Sequence, residues 1–260
     1  MGRLRISLAH RMIRAGKAIE SLALMVMRPD DLAAFSRSAY EGERNLKTWS
    51  TAGVLAEGLD REEEELLEAC PVRRGRLLLL GLGGGREAIP LAQRGYEVTG
   101  VDFVAEMVEQ AKTNAARYGV KLEGLVQELS LLDVPPGSFD VVWFSARMYS
   151  CVPGRPRRVA MLQRIARALR PGGVCVCQFH WDRRPRMSVR MERWHRALAY
   201  LTLGYWRFER GDMLWANREF LHAFDDEAAL RAEFDDGGFE VLHWKTSDEM
   251  LRGAAVLRRK

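Results

Sequence analysis

The sequence predicts an α/β protein with a doubly wound, mostly parallel sheet and helices on both faces. A continuous apolar run at Arg76–Leu80 has the length and composition of a parallel strand that is buried on both sides. This run ends in the turn Gly81-Leu-Gly-Gly-Gly85, and a helical pattern follows the turn. From there to the C-terminus, strand-length and helix-length segments alternate, which is the order that builds a parallel sheet with crossover helices.

Seven segments have strand patterns, and they are Arg76–Leu80, Glu97–Val101, Leu122–Gln127, Phe139–Ser145, Val174–Phe179, Phe239–Lys245 and Gly253–Arg259. Helical periodicity separates or precedes them at Leu4–Val26, Leu32–Tyr40, Arg61–Ala69, Ala105–Tyr118, Arg157–Leu169 and Asp225–Phe234. We divide the chain into an N-terminal helical cap, residues 1–50, and a core, residues 51–260. The core carries a helical insertion at residues 182–222, after the fifth strand.

Composition narrows the class of protein further. With 260 residues, 47% of them hydrophobic, the chain can bury a large core, and its four cysteines are too scattered for a disulfide framework. Cys175 and Cys177 alternate in a strand pattern, which predicts two core thiols on one face. No apolar run approaches the roughly 18 residues of a membrane-spanning helix. A cytoplasmic protein is expected, with peripheral membrane contact as an alternative.

The positive charge is concentrated in two segments. The formal net charge is +5, but residues 1–28 carry six basic side chains and one acid, and residues 182–210 carry eight arginines and three acids. Each of these segments has a net charge of +5, and the remainder has a net charge of −5. An anionic partner is therefore expected at these segments rather than over the whole surface.

The glycine turn and the acid that follows it predict a site for a nucleoside ligand. Gly81, Gly83 and Gly85 let the backbone approach a ligand closely, and the next helix presents free N–H groups. Asp102 ends the following strand, where a carboxylate can accept hydrogen bonds from both hydroxyls of a ribose. The third glycine stands one residue too early for a dinucleotide pattern, and Arg86 takes the later position, which disfavours NAD.

Six motifs in order resemble those of the class I S-adenosylmethionine-dependent methyltransferases. They are Gly81-Leu-Gly-Gly-Gly85, Gly100-Val-Asp102, Glu128-Leu129, Ser138-Phe-Asp-Val-Val142, Leu169-Arg-Pro-Gly-Gly173 and the closing strands after Gly238. The resemblance implies a Rossmann-like methyltransferase fold, S-adenosylmethionine as cofactor, S-adenosylhomocysteine as product and no metal. It places the cofactor at Gly81, Gly83, Gly85, Asp102, Phe103, Met107, Glu128, Leu129, Phe144 and Ser145. One position departs from the family, because Leu79 stands where an acid is common.

Three residues are candidates for catalysis at the ends of the strands. They are Arg147 and Tyr149 after the fourth strand and His180 after the fifth, where ligands bind in open α/β sheets. A hydroxyl or ammonium acceptor also needs a general base, and His180 is either this base or a structural hydrogen bonder. Tyr149 is a candidate for lining the site rather than for proton transfer, and His222 is expected to be structural. Tyr40 and Trp49 either cover the cofactor or pack in the core.

The acceptor is predicted to be a small molecule. Nucleic-acid amino methyltransferases of the family place an Asn- or Asp-Pro-Pro-aromatic turn after the fourth strand, and this chain has Ser145-Ala-Arg-Met148 instead. The predicted function is methyl transfer to an O, N or C nucleophile of a small, anionic or amphipathic metabolite. The alternatives are an RNA or protein methyltransferase and an inactive cofactor-binding module.

Each of the two basic segments has more than one possible role. The arginines between Asp182 and Arg210 either form a lid that recognises an anionic acceptor or make a solvated helix face. The helix Leu4–Val26 has an apolar stripe and a basic face. It is predicted to cap the cofactor cleft, to form a dimer contact or to lie on anionic lipid.

Overall fold

The computed structural model describes residues 2–41, 48, 51–184 and 189–260. Its strands are β1 Gly75–Leu80, β2 Tyr96–Asp102, β3 Glu123–Val126, β4 Phe139–Phe144, β5 Leu169–His180, β6 Asp212–Trp215, β7 Glu219–His222, β8 Phe239–Ser247 and β9 Arg252–Arg259. Its helices are α1 Gly2–Val26, α2 Pro29–Tyr40, α3 Ala52–Glu57, α4 Arg61–Ala69, α5 Ala88–Gln93, α6 Ala105–Arg117, α7 Arg155–Ala168, α8 Val189–Leu201 and α9 Glu227–Asp236.

The main sheet has seven strands in the order β3-β2-β1-β4-β5-β9-β8. The first five are parallel, and β9 runs antiparallel between β5 and β8. The strand order reverses at β1, where Leu80 pairs with Val101 of β2 on one side and Phe144 of β4 on the other. The fold class is confirmed, and the reversal point is where such sheets bind ligands.

The two faces of the sheet explain why its strands are continuously apolar. Leu78 and Leu80 point into a core completed by α7 and α9, whereas Leu77 and Leu79 point into a core completed by α4, α5 and α6. All four residues from Leu77 to Leu80 are therefore buried, so no polar alternation appears in this run. Cys175 and Cys177 are buried free thiols in the first core, which confirms that they share a face.

Beyond the sheet, the helical insertion predicted at residues 182–222 is helical only in part. Helix α8 ends at Leu201, and the chain continues into the antiparallel ribbon β6–β7. The helix ends here because Leu203 takes a left-handed conformation with φ +55°, while Gly204 N–H bonds to Ala199 O. Helix α3 and strand β6 are not marked by any of the sequence patterns above.

The N-terminal helices pack on this insertion. Near the end of α1, Leu24 and Met25 are buried against Ala199 and Tyr205. Helix α2 lies along β7, where the Ser36 hydroxyl accepts a hydrogen bond from the Phe220 amide at 3.0 Å. Among the described residues, no helix is both long and apolar enough to span a membrane.

Candidate functional site

Two adjoining cavities open at the carboxyl ends of β1, β2 and β4. The smaller, of about 210 Å³, is lined by Gly81, Gly83, Asp102 and Ser145, and we call it the glycine-turn cavity. The larger, of about 580 Å³, is lined along one wall by α2, and we call it the α2 cavity. The residues that line both are Tyr40, Phe103, Met148, Cys151 and Glu219. The two cavities therefore form one continuous candidate site.

The glycine turn presents bare backbone to the smaller cavity. Gly81 has φ +92° and Gly83 has φ +49°, a region that favours glycine. A Cβ atom added at Gly81 would lie 2.6 Å from Cγ of Met148, whereas one added at Gly83 would meet nothing within 4 Å. A ligand can consequently approach this turn more closely than a side chain would permit.

Asp102 is fixed by two backbone donors beside this turn. Its Oδ2 accepts a hydrogen bond from Gly83 N–H at 2.9 Å, and its Oδ1 accepts one from Val104 N–H at 3.0 Å. Burial raises the pKa of this carboxyl despite those two bonds. The side chain lines the cavity, and a carboxylate has about four acceptor positions, so capacity remains for two ligand hydroxyls.

The α2 cavity provides a slot for a planar group. Phe103, Glu128 and Leu129 line it, and the Glu128 carboxylate accepts a hydrogen bond from the Ser130 hydroxyl. The Arg37 guanidinium lies 5.4 Å from the centre of the Phe103 ring, and Tyr40 meets the same ring edge-on. An aromatic base could stack in this slot with a carboxylate at its edge.

The remaining cofactor candidates divide into two groups. Met107 and Ser145 line the glycine-turn cavity. Gly85 and Phe144 line neither cavity: Gly85 allows Ala111 of α6 to approach closely, and Phe144 is buried against Tyr149. These two residues pack behind the cavity walls and do not contact the cavities themselves.

Of the three catalytic candidates, the structure places only Arg147 at a cavity. Its Nη1 lies 3.3 Å from Nδ1 of His180, and its guanidinium lies 4.9 Å from the centre of the Trp215 ring. His180 itself is fully buried behind Arg147, with its amide donating to the Ser150 hydroxyl. His180 is therefore placed to orient Arg147 rather than to meet an acceptor.

Tyr149 lies in the core instead of at the site. Its side chain is fully buried, lines neither cavity and donates a hydrogen bond to the Glu233 carboxylate. The expectation that it lines the site rested on its position just after β4, but a short 3₁₀ turn at Met148–Cys151 directs it inward. His222, in β7, is bonded through Nδ1 to Asp212 at 2.7 Å.

Glu219 is a site residue that no sequence pattern predicted. It begins β7, lines both cavities and accepts a hydrogen bond from the Tyr40 hydroxyl at 2.6 Å. Burial, together with the Glu219 charge, raises the pKa of Tyr40 well above its usual value. Tyr40 thus remains a donor, and the Glu219 carboxylate is held where a bound molecule would meet it.

These features fit S-adenosylmethionine. At the glycine turn, a ligand can lie close against the backbone. Asp102 has acceptor positions left for the hydroxyls of a ribose. The cavity beside Phe103 can take an adenine. The glycine-turn cavity and the α2 cavity meet at Phe103, as a ribose next to a base requires.

Comparisons with known proteins point to one family. A family described as a methyltransferase domain matches residues 77–173. A phosphatidylethanolamine N-methyltransferase from Cereibacter sphaeroides is 31% identical over 172 residues, covering 62% of this chain and 78% of the relative. The chain belongs to the class I S-adenosylmethionine-dependent methyltransferases. S-adenosylmethionine is the cofactor of this family.

Two further matches share less sequence with the methyltransferase. A 2-methyl-6-phytyl-1,4-hydroquinone methyltransferase from Synechocystis is 28% identical over half of this chain, and the chain spans 39% of that relative's length. A Burkholderia thailandensis 1,6-didemethyltoxoflavin-N1-methyltransferase, solved with S-adenosylhomocysteine, has a TM-score of 0.62 at 18% identity and covers 89% of this chain and 90% of its own. This structural likeness shows the same fold.

The arginine-rich segment of the methyltransferase, residues 182–210, does not line the described cavities. Of its eight arginines, Arg186 lies outside the described residues, as does Trp49, and none of the other seven lines either cavity. Several pair with acids instead, for example Arg184 with Asp182 at 2.9 Å. Among the described residues that line the two cavities, the cations are Arg37, Arg147 and Arg157.

At the position where the family commonly has an acid, Leu79 of the methyltransferase is fully buried in the core. A different carboxylate reaches the same edge of the sheet: Glu87, just after the glycine turn, accepts a hydrogen bond from the Ser145 hydroxyl at 2.5 Å. Ser145 lines the glycine-turn cavity, so Glu87 fixes the direction of a polar group at the site.

Gly81→Ala is expected to weaken binding of S-adenosylhomocysteine about tenfold or more, because the new methyl group pushes Met148 into the cavity that it lines. Isothermal titration measures this change. Gly95→Ala is the matched control, since Gly95 has φ +94° but open space around it. Both variants carry the same backbone strain, and only Gly81→Ala should lose affinity. Equal affinity for the two would contradict the proposed close approach at Gly81.

Proposed function

We propose that this chain transfers the methyl group of S-adenosylmethionine to an oxygen or nitrogen of a small amphipathic acceptor. The observation that carries the proposal is the position of Glu219, a carboxylate on the wall that the two cavities share, with Tyr40 hydrogen-bonded to it. A base at this point is what an acceptor with an ionisable proton requires.

The cofactor, when bound, supplies an electrophilic methyl group on a sulfonium. Asp102 would hold its ribose and Phe103 would lie beside its base, with α2 forming one wall of the cavity. Positioning of this kind accounts for much of the rate in displacement reactions, because the reacting atoms are held in line.

On the acceptor side, Glu219 would take the proton of a hydroxyl as its oxygen attacks the methyl carbon and the carbon–sulfur bond breaks. From an ammonium it would take the proton first, because only the neutral amine has a lone pair for the attack. Tyr40, donating to Glu219, fixes which way the carboxylate points. Arg147 lines the same cavity and can pair with an anionic group of the acceptor. Trp215 and His180 hold the Arg147 guanidinium in place.

The lining also supports an amphipathic acceptor. Beside Arg147 and Glu219, the walls carry the apolar residues Met148, Val152 and Leu221. The names of two relatives combine a long hydrocarbon with a polar head, a phytyl hydroquinone and phosphatidylethanolamine. An acceptor of that kind would use both the apolar and the charged parts of the site.

The test of this function is methyl transfer from labelled S-adenosylmethionine to a panel of acceptors. The panel holds long-chain hydroquinones, aminophospholipids, their head groups without chains, and bulk tRNA. Transfer to a chain-bearing acceptor in preference to its head group supports the proposal. Transfer to tRNA alone would make the chain an RNA methyltransferase, and cofactor binding without transfer would leave an inactive module.

Glu219→Gln is expected to lower kcat about 100-fold or more, because the amide cannot accept the proton but keeps the shape of the side chain. The affinity for S-adenosylhomocysteine should change little. Steady-state assays with the best acceptor of the panel measure kcat. Glu97→Gln makes the same change on an exposed position of β2 and should keep full activity. If the Glu219→Gln variant kept its activity, Glu219 could not be the general base.

A further inference from the structure

An apolar stripe runs along α1 without a partner in the described chain. Its members Leu8, Met12, Ile19, Leu22 and Val26 are between 37% and 68% exposed. Their spacings of three, four and seven residues place them on one side of the helix. Leu24 and Met25, by contrast, are buried near the end of α1. The stripe therefore faces away from the body of the protein.

A second exposed apolar group adjoins the end of this stripe. The Thr202 hydroxyl lies 3.4 Å from Met25 O, and Arg28 Nε donates to Leu203 O at 3.1 Å. Gly204 packs so closely on Met25 that an added Cβ would lie 2.0 Å from its carbonyl oxygen. At this junction Tyr200, Leu201 and Leu203 are exposed, as are Trp194 and Trp206 nearby in sequence. We call the stripe and these five residues the α1–α8 face.

Leu203 is held in this position against its backbone preference. It is a left-handed residue with φ +55° at the end of α8, where Leu203 N–H bonds to Tyr200 O and Gly204 N–H bonds to Ala199 O. Glycine is the usual residue at such a position, because it has no Cβ to clash. Yet Leu203 is 70% exposed, so its side chain gains little from packing. A strained residue that presents an apolar side chain to solvent points to a role in binding.

The chemistry of the face matches a lipid surface. Exposed tryptophan and tyrosine side chains are typical of the boundary between lipid and water. The Arg207 guanidinium stacks on Trp206 at 4.6 Å, and Arg5 and Arg11 fall at the two edges of the α1 stripe on a helical wheel. Both segments of the face have a net charge of +5, whereas the rest of the chain has a net charge of −5.

Charge also favours a lipid surface over a second copy of the chain as the partner of this face. A symmetric dimer through this face would bring the same basic segments together, and like charges would repel. An anionic bilayer instead attracts them while it takes up the apolar stripe. We propose that the α1–α8 face docks on anionic phospholipid membranes. This inference does not rest on the proposed methyl transfer.

Vesicle flotation of the full chain, without cofactor or acceptor, tests the proposal. The chain is expected to float with vesicles of phosphatidylcholine and phosphatidylglycerol, to float less at high salt and to stay behind with phosphatidylcholine alone. Ile19→Glu should abolish flotation, and Leu203→Gly should weaken it about tenfold without lowering Tm. Both variants should bind S-adenosylhomocysteine normally, which separates docking from cofactor binding.

The matched control is Leu251→Gly, which makes the same change at another left-handed leucine, φ +53°, in the turn between β8 and β9. This variant should float like the parent chain. Absence of flotation with either kind of vesicle, or equal flotation with both, would overturn the proposal. So would a concentration-dependent dimer that Ile19→Glu disrupts in sedimentation while vesicle binding is absent.

Discussion

Asp102→Ala is expected to reduce the affinity for S-adenosylhomocysteine by at least about 100-fold. Asp102 has acceptor capacity for both ribose hydroxyls, and a hydrogen bond to a charged group contributes about 1.5–3 kcal/mol. Two such bonds correspond to about a 100-fold change or more in the dissociation constant. The variant also leaves the amides of Gly83 and Val104 without their acceptor, which loosens the glycine turn itself. Isothermal titration of the purified variant measures the loss.

Asp133→Ala is the matched control, because it removes one exposed carboxylate from the loop before β4 and changes the net charge equally. It should bind like the parent chain. Affinity of Asp102→Ala within threefold of the parent would mean that the ribose is held elsewhere.

The pH dependence of binding provides a second readout of Asp102. Burial raises the pKa of this carboxyl, so it takes up a proton at a higher pH than an ordinary aspartate. The protonated form accepts ribose hydrogen bonds less well. Affinity should therefore fall as the pH decreases through that raised pKa, and the decline should be much smaller in Asp102→Ala.

The sheet and the cofactor side of the site could be predicted from sequence because their signals are local. The run at Leu77–Leu80 is apolar at every position since both sides of β1 are covered, and its glycine turn follows at once. Asp102 ends the neighbouring strand, and parallel register alone brings it beside Gly83. Nothing distant in the chain is needed to place these groups together.

The acceptor side could not be predicted because it depends on contacts between distant segments. Tyr40 and Glu219 are 179 positions apart, and each lies in a segment of ordinary composition. Likewise, the sequence does not show that α8 ends at Leu201, where Leu203 takes a left-handed conformation and Gly204 N–H bonds to Ala199 O. Glycine is the usual left-handed residue after the end of a helix, whereas here leucine takes that conformation.

Tyr149 was misplaced for a related reason, because its hydroxyl belongs to a buried ionic cluster that no motif marks. Arg158, on α7, is the centre of that cluster. Its Nε bonds to Glu233 Oε1 at 2.7 Å and its Nη1 to Glu209 Oε2 at 2.8 Å, while Tyr149 donates to Glu233. Burial acts to raise the pKa of Glu209, but the charge of Arg158 outweighs it and leaves this pKa lowered. The cluster joins α7, α9 and the insertion around one guanidinium.

Arg158→Met is accordingly expected to lower the free energy of unfolding by about 3–5 kcal/mol, because removing one partner leaves a buried charge uncompensated. Arg158 is 1% exposed and Glu233 is 3% exposed, so water cannot replace the lost bonds. Urea unfolding measures the change, with Arg167→Met, an exposed arginine of the same helix, expected to cost less than about 1 kcal/mol. The difference between Arg158→Met and the parent should shrink at acidic pH, where the unpaired carboxylates take up protons. A loss as small as that of Arg167→Met would mean that the cluster contributes no more than a surface ion pair.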